Sequence, residues 1–320
     1  MNAMRILVVG AGAVGGYFGG RLAQAGRDIT FLVRARRARE IEAGGLQILS
    51  PHGDVTLRPQ VITANQIDGH YDLVLLGVKS YGLLDAMIDF APAVGEETMI
   101  LPVLNGLRHI ELLEARFGER AVLGGVCLVA TEIDDKGRIQ QLIRFQSLSY
   151  GERDGQVTPR LERLHATMSG SGFDAAISRH IVQDMWQKWV QLATLGAITC
   201  LLRGNVGEIA AIPGGSGLAL AALRECAGIA QASGYPQSDA FLEKQRVDLT
   251  TQGSQMTSSM YRDLKKGAPV EVDAILGDLL ERGRKLDLKT PVLEAAFVHL
   301  SIYQRGLAIV SQQGGTAAQV

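Results

Sequence analysis

The stretch Gly10-Ala11-Gly12-Ala13-Val14-Gly15 leaves few folds open to this chain. It begins where a short apolar run, Met4 to Val9, ends, and it opens a helical pattern from Val14 to Ala25. Strand, glycine turn and helix together form the context in which a G-x-G-x-x-G motif meets a dinucleotide. Gly10 allows the tight turn. Gly12 lets the backbone approach a pyrophosphate, whose charge is met by amides at the helix N-terminus, and Gly15 lets helix and strand pack closely. Small residues also gather where helices cross, so the placement after the first strand carries the cofactor reading.

The residue after the second strand bears on which cofactor is bound. Asp28 to Val33 reads as that strand and Arg34 ends it, with Arg36, Arg37 and Arg39 close behind and no acid before Glu40. A free ribose 2′-hydroxyl is usually met by Asp or Glu at this position, whereas a 2′-phosphate is met by Arg. A planar guanidinium holds phosphate through paired hydrogen bonds. NADP(H) is therefore favoured over NAD(H), with Arg34 the best-placed arginine. A solvated basic start to the next helix is the competing explanation.

Length and composition bound the rest. The chain has 320 residues, enough for two domains. Its net charge is -1 and it has no long basic run, which argues against nucleic acid or an anionic membrane as partner. No apolar stretch reaches the length of a membrane span, and the N-terminal apolar run is too short for a signal peptide, so a cytoplasmic protein is expected. Cys127, Cys200 and Cys226 have no regular spacing and read as reduced, buried small hydrophobes. The histidines are scattered and suggest no metal site.

The first half alternates β-rich runs with amphipathic helices: a helix near 36–43, a hairpin of 46–49 with 55–57, a buried strand at 73–78, a helix at 83–90, a strand at 99–103 and a helix near 110–117. This alternation implies a parallel, doubly wound Rossmann-type sheet. The runs 122–133, 138–141 and 147–150 look like antiparallel additions to that sheet. A covering helix at 161–168 and a short strand at 173–176 follow. From about His180 strands disappear, and 186–201, 218–232, 240–250 and 272–286 favour helix. The expected division is a cofactor-binding α/β domain over 1–179 and an all-helical substrate domain over 180–320, with a polar tail at 312–320 that lacks order. The apolar helical half suits either a homodimer interface or a larger core.

Ligands in such sheets bind outside the carboxyl ends of the strands. Lys79 and Asn105 each follow a strand there, although Lys79 also reads as an exposed loop lysine and Asn105-Gly106 as a turn and helix cap. Lys188 lies between Trp186 and Trp189 at an apolar helix start, where partial desolvation suits a lysine to proton transfer. A solvated lysine on an amphipathic helix is the plainer alternative. Glu271 precedes an apolar helix, where an acid also complements the helix dipole.

Almost the whole chain resembles the ketopantoate reductase (2-dehydropantoate 2-reductase) family. The matching stretches are Gly10 to Gly19, Phe31-Leu-Val-Arg34, Val78-Lys79-Ser80-Tyr81, Asn105-Gly106-Leu107, Trp186-Gln-Lys188-Trp189, Ser258-Ser259-Met260 to Leu264, and Glu271 to Gly277. The resemblance implies NADPH-dependent reduction of a small-molecule 2-keto acid, namely ketopantoate to pantoate on the route to pantothenate and coenzyme A. It makes Lys188 the general acid for the keto oxygen and Glu271 its partner and a substrate contact. Lys79 and Asn105 line the cofactor and substrate crevice, Ser259 meets the substrate carboxylate, and Arg34 holds the 2′-phosphate.

The chain departs from the family on the lysine helix. Asparagines are usual four and eight residues after the lysine, and Leu192 and Gly196 stand there instead. Leu104 likewise replaces a common glutamine. Spacings of four share a helix face. A substrate hydroxyl buried there without a partner would cost about 1–3 kcal/mol, so a less polar 2-keto acid fits Leu192 better. Three readings result: ketopantoate reduction, a reductase or dehydrogenase on the same scaffold for another, less polar keto or hydroxy acid, and an NADPH-binding sensor without turnover. Retention of Lys188 and Glu271 argues against the last, since a sensor needs no proton donor.

Overall fold

Runs that are apolar on both faces become the strands of the first sheet. β1 (Arg5–Val9) leads into α1 (Ala13–Gln24), and β2 (Asp28–Leu32) into α2 (Ala35–Gly44). β3 (Leu46–Leu49), β4 (Val55–Leu57), β5 (Gln60–Ile62), β6 (Leu73–Leu76), α3 (Leu83–Phe90), β7 (Met99–Pro102) and α4 (Arg108–Phe117) follow. Next come β8 (Gly124–Ile133), β9 (Ile139–Gly151), α5 (Pro159–Met168) and β10 (Asp174–Ile177). This computed structural model describes residues 3–316, with side chains described to residue 309.

Five strands form an all-parallel sheet in the order β5-β2-β1-β6-β7. The strand order reverses between β1 and β6, and ligands of such sheets bind beyond the carboxyl ends at that point. Ile6, Leu7 and Val8 of β1 and all of β6 are fully buried, which explains why these strands read as continuous apolar runs.

The other strands form a second sheet, β10-β9-β3-β4, with β8 antiparallel along β9. This corrects the expectation that residues 122–150 extend the parallel sheet. The runs 138–141 and 147–150 belong to one long strand, β9, whose other partners are the β3–β4 hairpin and β10. The glycine pairs of α1 explain the second layer. A Cβ on Gly19 would lie 2.8 Å from the side chains of Val8 and Phe31, on the parallel sheet. A Cβ on Gly16 or Gly20 would lie 2.6 Å from Ile139 of β9 or Ile48 of β3. Residues four apart share a helix face, so one small-residue helix packs closely against both sheets.

The helical part comprises α6 (Ile181–Leu202), α7 (Val206–Ala211), α8 (Gly215–Ala232), α9 (Asp239–Thr250), α10 (Ser259–Lys265), a π-helical turn Asp273–Gly277, α11 (Asp278–Lys285) and α12 (Pro291–Thr316). The chain divides into two units: residues up to Leu104 with Arg108–Met185, and Asn105–Leu107 with the chain from Trp186 onward. The transition near residue 180 thus falls inside α6. Because α12 reaches Thr316, residues 312–316 are helical rather than an irregular tail, and 317–320 lie outside the described residues.

Cys127, Cys200 and Cys226 are buried and not joined in disulfides. Burial pushes the thiols of Cys200 and Cys226 up to about 12, so at neutral pH they are un-ionised and poor nucleophiles. Among the described residues no helix is long and apolar enough to cross a membrane, and no cluster of ligating side chains could hold a metal ion.

Candidate active site

The glycine turn sits at the carboxyl end of β1. Gly10 has a φ of 93°, open only to a residue without Cβ strain, and a Cβ there would lie 3.0 Å from Val78 Cγ1. A Cβ on Gly15 would run into the Gly10 carbonyl oxygen and come within 3.2 Å of Gly77 Cα. Gly77, just past β6, returns the constraint: its own Cβ would stand 2.5 Å from Gly15 Cα. Packing within the chain therefore explains Gly10, Gly15 and Gly77.

Gly12 is different. Its φ of −84° suits any residue, and a Cβ there would find no protein atom closer than 4.0 Å. Gly12 also caps α1 without a side-chain hydrogen bond, and the first turn holds no acid. Buried Ala11, then Ala13 and Val14, complete the turn. The space beside Gly12 and the amides at the start of α1 fit the diphosphate of a dinucleotide.

The four nearby arginines separate in the structure. Arg34 is exposed at the end of β2, where it precedes α2 and pairs with Asp85 at 3.1 Å, with Asp89 lining the same shallow depression. Both members of the pair are about three-quarters exposed, at 75% and 72%, so it is weakly held. Arg36 pairs with Glu40 at 2.8 Å, and Arg39 is exposed. Arg37 shares Glu40, at 3.1 Å, but also turns inward: Nε donates to the Ala11 carbonyl at 3.2 Å, and a terminal nitrogen donates to the Gly137 carbonyl at 3.0 Å. It buttresses the glycine turn from behind, a role that local sequence does not reveal.

Lys79 follows β6, half-buried, and caps the short turn Ser80–Gly82. Asn105 follows β7 by way of Leu104 and belongs with Gly106 and Leu107 to the helical unit. Gly106 has a φ of 77°, and a Cβ there would collide with the Ala274 carbonyl oxygen. The Asn105 loop thus lies directly on the π-helical turn that follows Glu271.

α6 meets the same π-helical turn through Trp189, the neighbour of Lys188. Lys188 is half-buried on α6, next to the fully buried Trp189. The Trp189 indole donates to the Ile275 carbonyl at 2.9 Å, and the Ile275 amide donates to the Glu271 carbonyl at 3.0 Å. Glu271 itself is buried, at 6% exposure. The helical unit therefore brings the chain neighbours of Asn105 and Lys188, Gly106 and Trp189, onto the short turn that follows Glu271.

Leu192 and Gly196 continue the Lys188 face of α6. Leu192 is half-buried, and Gly196 is buried beneath Met260, whose Cε would lie 2.8 Å from a Cβ at 196. Farther along α6, Thr199 and Ser258 share a buried hydrogen bond of 2.9 Å. Ser259, the first residue of α10, is held between Ser258 and Met260, both fixed on α6. Gly77, Arg37, Gly106, Trp189 and Met260 join the residues expected from sequence. Of these, Gly106, Trp189 and Met260 lie within the stretches that carry the resemblance and Gly77 directly follows β6, whereas nothing in the sequence marks the inward role of Arg37.

A dinucleotide-type parallel sheet followed by a helical unit makes this a Rossmann-class α/β protein with a helical C-terminal part. The profile of the family described as Ketopantoate reductase PanE/ApbA matches residues 6–155, and its C-terminal counterpart matches residues 180–304. The chain is 37% identical to "Uncharacterized oxidoreductase YkpB" of Bacillus subtilis (strain 168), over 94% of this chain and 99% of that one. It is 28% identical to a 2-dehydropantoate 2-reductase of Mesorhizobium japonicum, over 95% and 99%. A crystal structure of 2-dehydropantoate 2-reductase from Geobacter metallireducens superposes with a TM-score of 0.84 at 29% identity, covering 93% of this chain and 99% of that one. The chain belongs to the ketopantoate reductase family, whose members are oxidoreductases dependent on a pyridine nucleotide.

Proposed function

We propose that this protein reduces a 2-keto acid to a 2-hydroxy acid with NADPH, with ketopantoate as substrate and pantoate as product. The observation that supports the reading is that Gly106 and Trp189, the neighbours of Asn105 and Lys188, both meet the turn that follows Glu271. When bound, NADPH supplies the hydride for the carbonyl carbon. Gly10 to Gly15 receive its diphosphate, Arg34 its 2′-phosphate, and Lys79 and Asn105 line the cofactor and substrate positions. As charge grows on the carbonyl oxygen, the Lys188 ammonium stabilises it and donates a proton. Glu271 holds Lys188 and a substrate hydroxyl, and Ser259 orients the carboxylate.

A second reading, a less polar 2-keto acid, is favoured by one observation. Met260 occupies the space beside Gly196, and Leu192 lies on the same helix face, so that wall offers a substrate hydroxyl little to bond with. Steady-state NADPH oxidation with ketopantoate beside branched and aromatic 2-keto acids separates the two. A higher kcat/KM for ketopantoate supports the first, and a ratio reversed by about tenfold or more, the value of one unpaired buried hydroxyl, supports the second. Turnover of none of them sinks both.

The cofactor assignment has its own test. Arg34→Ala is expected to weaken NADPH by about 10- to 100-fold, the worth of a charge-assisted hydrogen bond to phosphate. NADH is expected to change by less than about twofold, since it lacks that phosphate. Equal losses for both nucleotides would remove Arg34 from phosphate recognition.

A further inference from the structure

We propose that Trp189 is a positioning residue that locks the Glu271 segment to the helix bearing Lys188, an inference that rests on the roles given above to Lys188 and Glu271. Adjacent residues leave a helix about 100° apart. Lys188 is half-buried while the Trp189 ring enters the core with 1% exposure. There its indole N–H, a donor with no accepting capacity, meets the Ile275 carbonyl at 2.9 Å. The Ile275 amide in turn holds the Glu271 carbonyl at 3.0 Å. Two hydrogen bonds thus connect the helix of the lysine to the backbone of the glutamate.

The acceptor lies in the π-helical turn Asp273–Gly277, a local widening of the helix that is often found at functional sites. The ring is also held from the other side. The Arg282 guanidinium sits 5.5 Å from the Trp189 ring centre and 5.7 Å from that of Trp186, and it pairs with buried Asp278 at 3.3 Å. Asp278 and Arg282 belong to α11, the direct continuation of the π-helical turn. Trp189 is therefore gripped by the element it fixes, through its N–H at one point and its ring face at another. Trp186 lies 5.0 Å from Trp189 with its ring tilted by 39°, stacks on Tyr235 at 5.3 Å, and among the described residues makes no such bond to the segment.

Trp189→Phe keeps an aromatic ring and removes the N–H, and Trp186→Phe is the matched control for lost packing. Amide hydrogen exchange over residues 272–277 reads the lock without reference to activity. Trp189→Phe is expected to speed exchange there by about tenfold or more, and to lower kcat by about 10- to 100-fold as the proton donor is misplaced. KM for NADPH stays within about twofold, because the glycine turn is untouched, and the solvent deuterium isotope effect on kcat rises. Trp186→Phe is expected to do none of this. Exchange and kcat in Trp189→Phe that match those of Trp186→Phe would overturn the proposal. If the wild-type enzyme turns over no 2-keto acid while Trp189→Phe still frees the segment, the catalytic reading fails and the lock stands. Should Trp189→Phe not fold, Arg282→Lys loosens the ring while keeping the N–H and the charge. Faster exchange over 272–277 then supports the lock, and unchanged exchange overturns it.

Discussion

Lys188→Ala is expected to bind NADPH within about twofold of the wild-type protein while its kcat falls by about 10²- to 10⁴-fold, the usual contribution of a positioned general acid. The lysine is half-buried on a long, well-packed helix, so its removal opens no large cavity and the fold is expected to persist. The separation of effects follows from where the groups lie along the chain. The glycine turn and Arg34 belong to the sheet-bearing unit, and Lys188 belongs to the helical one. Nucleotide binding is checked by quenching of tryptophan fluorescence, and turnover by NADPH oxidation with the preferred keto acid. Loss of turnover without loss of binding identifies Lys188 as part of the chemistry. Unchanged turnover removes it.

The second large effect distinguishes two glycines of one motif. Gly15→Ala is expected to destabilise the fold itself, by about 1–3 kcal/mol or more, because its Cβ has nowhere to go between the Gly10 carbonyl and Gly77. Gly12→Ala is expected to leave thermal stability unchanged, since no protein atom lies within 4.0 Å of the new methyl group. Its cost falls on the cofactor: NADPH affinity drops by about tenfold or more, because the methyl group fills the space into which the diphosphate must settle. Thermal unfolding with and without NADPH checks both. A Gly12→Ala protein that is as stable as wild type and still gains full stabilisation from NADPH would mean that the nucleotide does not approach the backbone there.

How much of this is visible in the sequence depends on whether the cause is local. β1, β2 and β6 stand out because both of their faces are buried, and the glycine turn is a local motif. Partner choice is not local. β9 pairs with β3 and with β10, so residues 138–150 showed their strand character but not the sheet they join. β5 has only three residues, too few for a pattern. α12 is not evident in the sequence although Pro291 marks its start: Gly306 and Gly314-Gly315 weaken its helical signal, yet the helix runs unbroken to Thr316. At the site, Lys188 and Glu271 emerged from motifs. The role of Trp189 could not emerge in the same way, because its bond reaches Ile275, 86 residues away. The inward role of Arg37 is hidden in the same way: its acceptors, Ala11 and Gly137, are neighbours only in the folded chain.

The most direct test of 2-keto acid reduction is to supply NADPH deuterated at its transferable position, together with ketopantoate and a set of less polar 2-keto acids, and to analyse the products by mass spectrometry. The expected result is a 2-hydroxy acid carrying a single deuterium at the former carbonyl carbon, formed by the wild-type protein and not by Lys188→Ala. Bound NADPH with no labelled hydroxy acid from any of these substrates would contradict it, and would leave a nucleotide-binding protein without this chemistry.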